Sequence, residues 1–390
     1  MRQPQVVVVG AGIVGLSTAY ALLARGVKNV TVLEQETVDH RRGTSHGISR
    51  LLRFEYGSDI FYSQMVRLSL SRWKQLELAA QRTLYTRTGL LVLGAGGDKF
   101  TQPSFHAMRA LKMPVERFSR QLCHQRFPQF NAHRNDIITY NSEAGILHAS
   151  TCLRTLKEMI TDLGGTIYES CRVTDLAYGN QSRPVRLHTS TGDELTAERV
   201  VLATGPWVHR LLANLHLPVR LTRQYLLYFA GLPFSSFGVN IFPAFITNDL
   251  YGFPLHATSN NATGPYWLKA TSHAFGKPVD PDELLPPDEQ VIANIAGKLS
   301  NLLPALRNAR LIQVDSCMYD VTPDEGFILD YLPHDPRVVF ATGLTGHGFK
   351  FGPLLGELLS SMVCNTPPPL ELGRFRLARF SQRRQSISVA

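Results

Sequence analysis

The run Gly10-Ala11-Gly12-Ile13-Val14-Gly15 follows an apolar stretch, Val6 to Val9, and leads into Ala- and Leu-rich sequence as far as Leu23. A second β-branched run, Val30-Thr31-Val32-Leu33, ends in Glu34. Glycines at this spacing, between a strand and a helix and followed by an acid at the end of the next strand, bind a dinucleotide. Gly10 permits a tight turn, Gly12 lets backbone amides approach a pyrophosphate, and Gly15 allows the helix to pack closely on the strand. Ile13 and Val14 open the helix, whose N-terminal dipole favours phosphate. Glu34 has the charge and position to accept hydrogen bonds from a ribose diol, and it repels a 2′-phosphate. That chemistry points to FAD or NAD rather than NADP, and the motif by itself does not separate the first two.

The elements that must position these residues separate them. Glu198-Arg199-Val200-Val201-Leu202-Ala203-Thr204-Gly205 is another apolar strand closing on a small-residue turn, and it resembles the Ala-Thr-Gly strand of FAD-dependent oxidoreductases. A third, Val338-Val339-Phe340-Ala341-Thr342-Gly343, leads to Gly346-His347-Gly348-Phe349-Lys350 and an apolar helix from Pro353 to Val363. Helices that begin at glycine-rich turns present free N–H groups to an electron-rich flavin edge. Strands so far apart in the chain predict one sheet assembled from distant segments, whereas a nicotinamide-binding domain is usually contiguous.

Composition limits the remaining classes. In 390 residues there are 40 Lys+Arg and 31 Asp+Glu, a formal charge of +9, with 44% hydrophobic and 18% charged residues. These proportions exclude disordered and collagen-like chains and predict two domains or one large domain with an insertion. The positive charge is dispersed, which fits small anionic ligands better than nucleic acid or a membrane. The one dense basic stretch, Arg374, Arg376, Arg379, Arg383 and Arg384, reads as a solvated terminal segment. Cys123, Cys152, Cys171, Cys317 and Cys364 are scattered and include no CxxC pair, which argues against a disulfide framework and against any metal site. The uncharged stretch from Gln3 to Ala24 mimics a signal peptide, but its change of character at the glycines makes it strand, turn and helix. With Ser388-Val389-Ala390 at the C-terminus in place of a peroxisomal signal, the expectation is a cytoplasmic protein.

Three further motifs carry a family resemblance. Gly43-Thr44-Ser45-His46-Gly47-Ile48-Ser49-Arg50-Leu51-Leu52-Arg53, then Cys317-Met318-Tyr319 with Thr322-Pro323-Asp324-Glu325, then Gly346-His347-Gly348-Phe349-Lys350 resemble monomeric sarcosine oxidase and its relatives, N-methyltryptophan oxidase and L-pipecolate oxidase. The resemblance runs from Val6 to about Phe380, in the same order and at similar spacing. It implies a flavoenzyme that oxidises the C–N bond of secondary-amine amino acids with molecular oxygen, releasing hydrogen peroxide. Cys317 matches the cysteine that forms a thioether with FAD, and the other four cysteines read as structural. Arg53 and Lys350 match the pair that clamps the substrate carboxylate. Arg50 and His46 match residues beside the flavin ring, where they stabilise negative charge. Lys269, in Tyr266-Trp267-Leu268-Lys269, matches the lysine that activates oxygen. This stretch follows a loop, Ser259-Asn260-Asn261-Ala262-Thr263-Gly264, that is longer than its family counterpart. His273 and Tyr251 match positions facing the substrate, with His273 sharing a strand face with Lys269, and Tyr319 joins them in the pocket. Ser45, Val173, Gly205, Gly346, Gly348 and Phe349 complete the cofactor-binding set.

The implied fold is α/β with α+β elements. Segments 1–85, 145–215 and 315–390 form a Rossmann-like FAD-binding domain, and 86–144 and 216–314 form a mostly antiparallel substrate domain. The composition of Arg220 to Ala230 suits a strand of that second sheet, although its alternation is imperfect. The implied partners are a small secondary-amine amino acid and oxygen, with no nucleic acid and no membrane, and the chain acts as a monomer. Alternatives are oxidation of a cyclic imino acid such as pipecolate or proline, or of a primary amine. Others are a dehydrogenase subunit passing electrons to a protein partner and a flavin-binding protein without activity, which an intact Arg53 and Lys350 disfavour.

Overall fold

The computed structural model describes residues 6–132, 136–178, 183–257 and 265–381. The Ser259-to-Gly264 loop, Arg383 and Arg384 lie outside the described residues.

Val6–Val9 is buried at every position, as is Val30–Leu33, so neither strand alternates. Such runs belong in the middle of a parallel sheet covered on both faces. They lie in a six-stranded sheet ordered Ile328–Leu332, Asp335–Thr342, Arg199–Leu202, Val6–Val9, Val30–Leu33, Thr166–Tyr168. Every neighbouring pair is parallel except the first, an antiparallel hairpin at the edge. The three glycine-ended strands therefore stand side by side, with their carboxyl ends along one rim.

On one face of this sheet the helix Ile13–Ala24 packs against the helix Gly352–Cys364, and both are apolar nearly all round. Small residues set their approach: a Cβ on Gly356 would stand 2.4 Å from the Ser17 carbonyl. A Cβ on Gly15 would stand 1.9 Å from the Gly10 carbonyl oxygen, and Gly10 itself adopts φ +100°, open to glycine at little cost.

The second large sheet has nine strands and is mostly antiparallel. Its long members, Arg220–Ala230 and Arg310–Val321, pair over nearly their whole length, setting Gln224 opposite Cys317 and Thr222 opposite Tyr319. On its other side Arg220–Ala230 pairs with Tyr266–Ser272, placing Tyr228 opposite Lys269. The imperfect alternation of Arg220–Ala230 has a physical cause: most of the strand is buried on both faces. The strand carrying Lys269 ends at Ser272, so His273 sits one residue beyond it, its amide donating to the Asp249 carbonyl at 2.6 Å. Among the described residues no helix is long and apolar enough to cross a membrane.

The described arginines of the basic stretch near the end of the chain are paired, not freely solvated. Arg374 bonds Asp59, Arg376 bonds Asp330, and Arg379 bonds Asp324 and the Gly326 carbonyl. Each arginine finds an acid on a different segment, a specificity that composition does not carry.

Candidate active site

One cavity runs from the glycine turn to the motifs around Arg53 and Lys350, with walls from both large sheets. At the first end, Glu34 is only 5% exposed and accepts from the Ala11 amide at 2.6 Å and the Glu36 amide at 3.0 Å. Its carboxylate thus closes the turn while lining the cavity. Ser45 Oγ accepts from the Ile13 amide at 3.0 Å, so a hydroxyl sits on the helix start where phosphate chemistry is favoured.

Further in, Arg50 holds the loop around itself. Its guanidinium donates to the carbonyls of Ser49 at 2.8 Å, Thr44 at 2.8 Å and His46 at 2.5 Å, and it lies over the Phe349 ring. The Ser49 carbonyl also accepts from Lys269 Nζ at 2.8 Å, so one oxygen is bracketed by two cations. Lys269 is 2% exposed, and burial with the neighbouring Arg50 pulls its ammonium well below the ordinary lysine range. Cys317 feels the same two cations. Burial pushes its thiol up while Arg50 and Lys269 oppose that shift. His46 Nδ1 lies 2.9 Å from the Asp39 carboxylate, which also accepts from Ser150.

At the far end Arg53 and Lys350 are buried, at 8% and 3% exposure. Arg53 lies between the rings of Tyr56 and Phe100, and its Nη1 has no hydrogen-bond partner. Lys350 donates to the His347 carbonyl at 3.0 Å, and burial and Arg53 hold it well below its ordinary range, against an opposing Glu55. Two cations here have a carboxylate, Glu55, behind them: it is fully buried and accepts from Asn141 and the Phe54 amide. Burial raises the Glu55 carboxyl. Tyr251 and Tyr319 join hydroxyls at 3.2 Å, and His273 meets Tyr251 edge-on at 5.4 Å. Burial, then Arg53 and Lys350, lower His273 to about 4, so its imidazole is neutral near neutral pH.

All the site residues singled out in the sequence line this one cavity except Gly15, which packs beneath the turn against Gly10. Sequence reasoning missed Ser49, Thr204 and His40, cavity residues that each bury a polar atom without a partner. It also missed Glu55 and Tyr56, two and three residues after Arg53 in the chain, and it treated Cys171 as structural although it lines the cavity. Ser49 lay within the quoted loop, but a small hydroxyl there carries no signal of its own. Among the described residues no group of three or more His, Cys, Asp or Glu side chains could hold a metal ion.

The residues suit an FAD. Four buried polar atoms left over on the walls, on Ser49, Thr204, His40 and Arg53, are spread along the cavity, and buried polar groups require partners. The glycine turn, the helix start and Glu34 supply phosphate and ribose chemistry at one end, and the cations supply anion chemistry at the other.

Comparison with known proteins agrees. Residues 5–362 match the family model described as FAD dependent oxidoreductase. The chain is 34% identical over 387 residues to peroxisomal sarcosine oxidase of Mus musculus, covering 96% of each. It is 30% identical over 383 residues to N-methyl-L-tryptophan oxidase of Yersinia pestis (strain Pestoides F), covering 96% of this chain and 98% of that one. Among solved structures, L-proline dehydrogenase from P. horikoshii superposes with a TM-score of 0.81 at 19% identity, covering 98% of each chain, a likeness of fold.

Proposed function

This chain belongs to the FAD dependent oxidoreductase family and is an FAD-dependent amine oxidoreductase, and from that premise we propose that it is an oxidase of secondary-amine amino acids that uses molecular oxygen. The substrates fitting this reading are sarcosine, other N-methyl amino acids, and cyclic imino acids such as proline or pipecolate. The observation that carries it is the buried, unpartnered Nη1 of Arg53 beside Lys350, on the cavity that Cys317 and Lys269 also line. A guanidinium with a free donor and a nearby ammonium match a carboxylate.

The chemistry that a bound FAD would supply there is acceptance of a hydride equivalent from the carbon next to the amine nitrogen, with oxygen as the final electron acceptor and hydrogen peroxide as its product. Gly10, Gly12, Ile13, Val14 and Ser45 would hold the pyrophosphate and Glu34 the ribose, with Val173 and Gly205 beside them. Gly346, Gly348 and Phe349 would line the place of the ring system, and Cys317 would supply the sulfur of a covalent tether. Arg50 and His46 offset negative charge there, and Lys269 serves the oxygen half of the reaction. Arg53 and Lys350 fix the amino acid by its carboxylate, which turns its amine toward Tyr251, Tyr319 and His273. A neutral His273 adds no charge beside the amine and accepts a hydrogen bond from it. The division into cofactor segments 1–85, 145–215 and 315–390 and substrate segments 86–144 and 216–314 belongs to the same proposal, as does action as a monomer.

The test is to precipitate the purified holoprotein with acid and map the coloured peptide, then assay sarcosine, N-methyltryptophan, proline and pipecolate for peroxide. Colour on the Cys317 peptide and peroxide from at least one of these amines are the expected results. Colour released to the supernatant removes the tether. Substrate-driven bleaching that only an artificial dye reverses makes the chain a dehydrogenase passing electrons to a partner.

A further inference from the structure

Behind the two clamp cations lies an aromatic ring that the reading above does not use. Tyr56 is partly buried outside the cavity walls, with the Arg53 guanidinium carbon 4.6 Å and the Lys350 nitrogen 5.3 Å from its ring centroid. Both cations thus lie over one and the same ring, and in a water-poor site such contacts are at their strongest. Tyr62 stacks on Tyr56 at 5.0 Å and 18°, which fixes the plane of the ring. The Tyr56 hydroxyl lies 3.2 Å from His347 Nδ1, and His347 Nε2 lies 3.2 Å from the Glu325 carbonyl. The His347 carbonyl in turn accepts from Lys350 Nζ. Burial and the neighbouring Lys350 and Arg53 keep the His347 imidazole neutral, so Nδ1 accepts the tyrosine proton and Nε2 donates. Tyr56 therefore touches one cation through its ring and the other through both its ring and, by way of His347, its hydroxyl.

We propose that Tyr56 is the positioning residue for carboxylate recognition, its ring face holding Arg53 and Lys350 together so that one carboxylate meets both. The inference rests on the reading that these cations grip the substrate carboxylate. Without the face, two like charges in a buried site repel, and each is free to adopt a rotamer that removes it from the other.

The experiment compares Tyr56→Leu, Tyr56→Phe and Arg53→Gln holoenzymes with sarcosine and its neutral analogue sarcosinamide. In the Tyr56→Leu enzyme, KM for sarcosine rises on the order of tenfold while kcat stays within about threefold, and sarcosinamide is little affected. Tyr56→Phe, which keeps the face, stays within about threefold of the parent on both. Equal losses on sarcosine and sarcosinamide, a fall in kcat at constant KM, or a Tyr56→Phe enzyme as impaired as Tyr56→Leu would each overturn the proposal. Arg53→Gln separates the two readings. If it does not weaken sarcosine, the clamp itself is wrong and the positioning role falls with it. If it weakens sarcosine and Tyr56→Leu does not, only the positioning role is lost. Should Tyr56→Leu fail to fold, a series of fluorinated phenylalanines at position 56 keeps the shape and weakens the face stepwise. KM rising with each fluorine supports the proposal, and a flat series overturns it.

Discussion

Lys269 is the residue whose environment is hardest to explain by packing. An ammonium at 2% exposure whose hydrogen-bond partner among the described residues is the Ser49 carbonyl, with a guanidinium nearby, costs stability, which fits the proposed use of its charge in the oxygen half-reaction. Lys269→Met should spare reduction of the enzyme by substrate to within a few-fold and slow reaction of the reduced enzyme with oxygen by orders of magnitude. Stopped-flow measurement of the two half-reactions checks this, and equal loss in both would assign Lys269 to folding. Lys350 gives a second expectation. Because burial and Arg53 depress it, its ammonium gives up its proton at a lower pH than an ordinary lysine does, so affinity for a carboxylate declines as pH rises through that lowered pKa. Calorimetric titration with acetate over a series of pH values should register that decline, and an affinity indifferent to pH would mean that the charge of Lys350 plays no part in the grip. These environments were not legible in the sequence. The motif around Arg53 named the cation, but the ring beneath it and the acid behind it depend on where residues 56, 100 and 141 meet in space.

At the scale of elements, the helices Ile13–Ala24 and Gly352–Cys364 meet through small residues across more than 300 positions of sequence. Gly356→Ala would set a methyl against the Ser17 backbone, which has no flexible end to yield. The helices must separate, at about 1–3 kcal/mol, and a lower melting temperature with a weaker hold on FAD should follow. An unchanged melting temperature would show that the pair relaxes freely. The sheet that these helices cover was readable because its strands are short, apolar and glycine-ended, and such strands have few alternatives to a buried parallel sheet. The nine-stranded sheet was readable only in composition. Its order threads strands from residues 90 to 321 in a sequence that follows no chain logic, and its register depends on partners far away. The end of the strand before His273 shows the same limit: nothing local distinguishes Ser272 from the residue after it.

For the whole molecule, acid is the expected weakness. Burial lowers His256 to about 3 and His273 to about 4, and it lowers His148 and His347 as well. Below about pH 6.5 the unfolded chain binds protons that the folded chain refuses, so stability falls as pH drops from there toward 4. Asp320, raised by burial to about 6, acts in the opposite sense over the same window. His256, at 2% exposure, accounts for on the order of 1 kcal/mol per pH unit. Melting temperatures from pH 7 to pH 5 should therefore fall less steeply in His256→Asn than in the parent, and parallel curves would contradict the assignment. The paired arginines near the end of the chain add a link of another kind, because Arg379 ties the segment containing Asp324 and Gly326, next to Glu325 on the cavity wall.

The walls of that cavity begin at Val9 and finish at Lys350. On the ribosome, the phosphate-binding turn and the neighbouring strand Val30–Leu33 emerge early, the other neighbour, Arg199–Leu202, comes at mid-chain, and the segment from Gly346 to Lys350 that completes the cavity is among the last to be synthesised. Nascent intermediates consequently expose half a nucleotide site with nothing to retain its guest. A complete cofactor site therefore waits for the last stretch of the cavity wall.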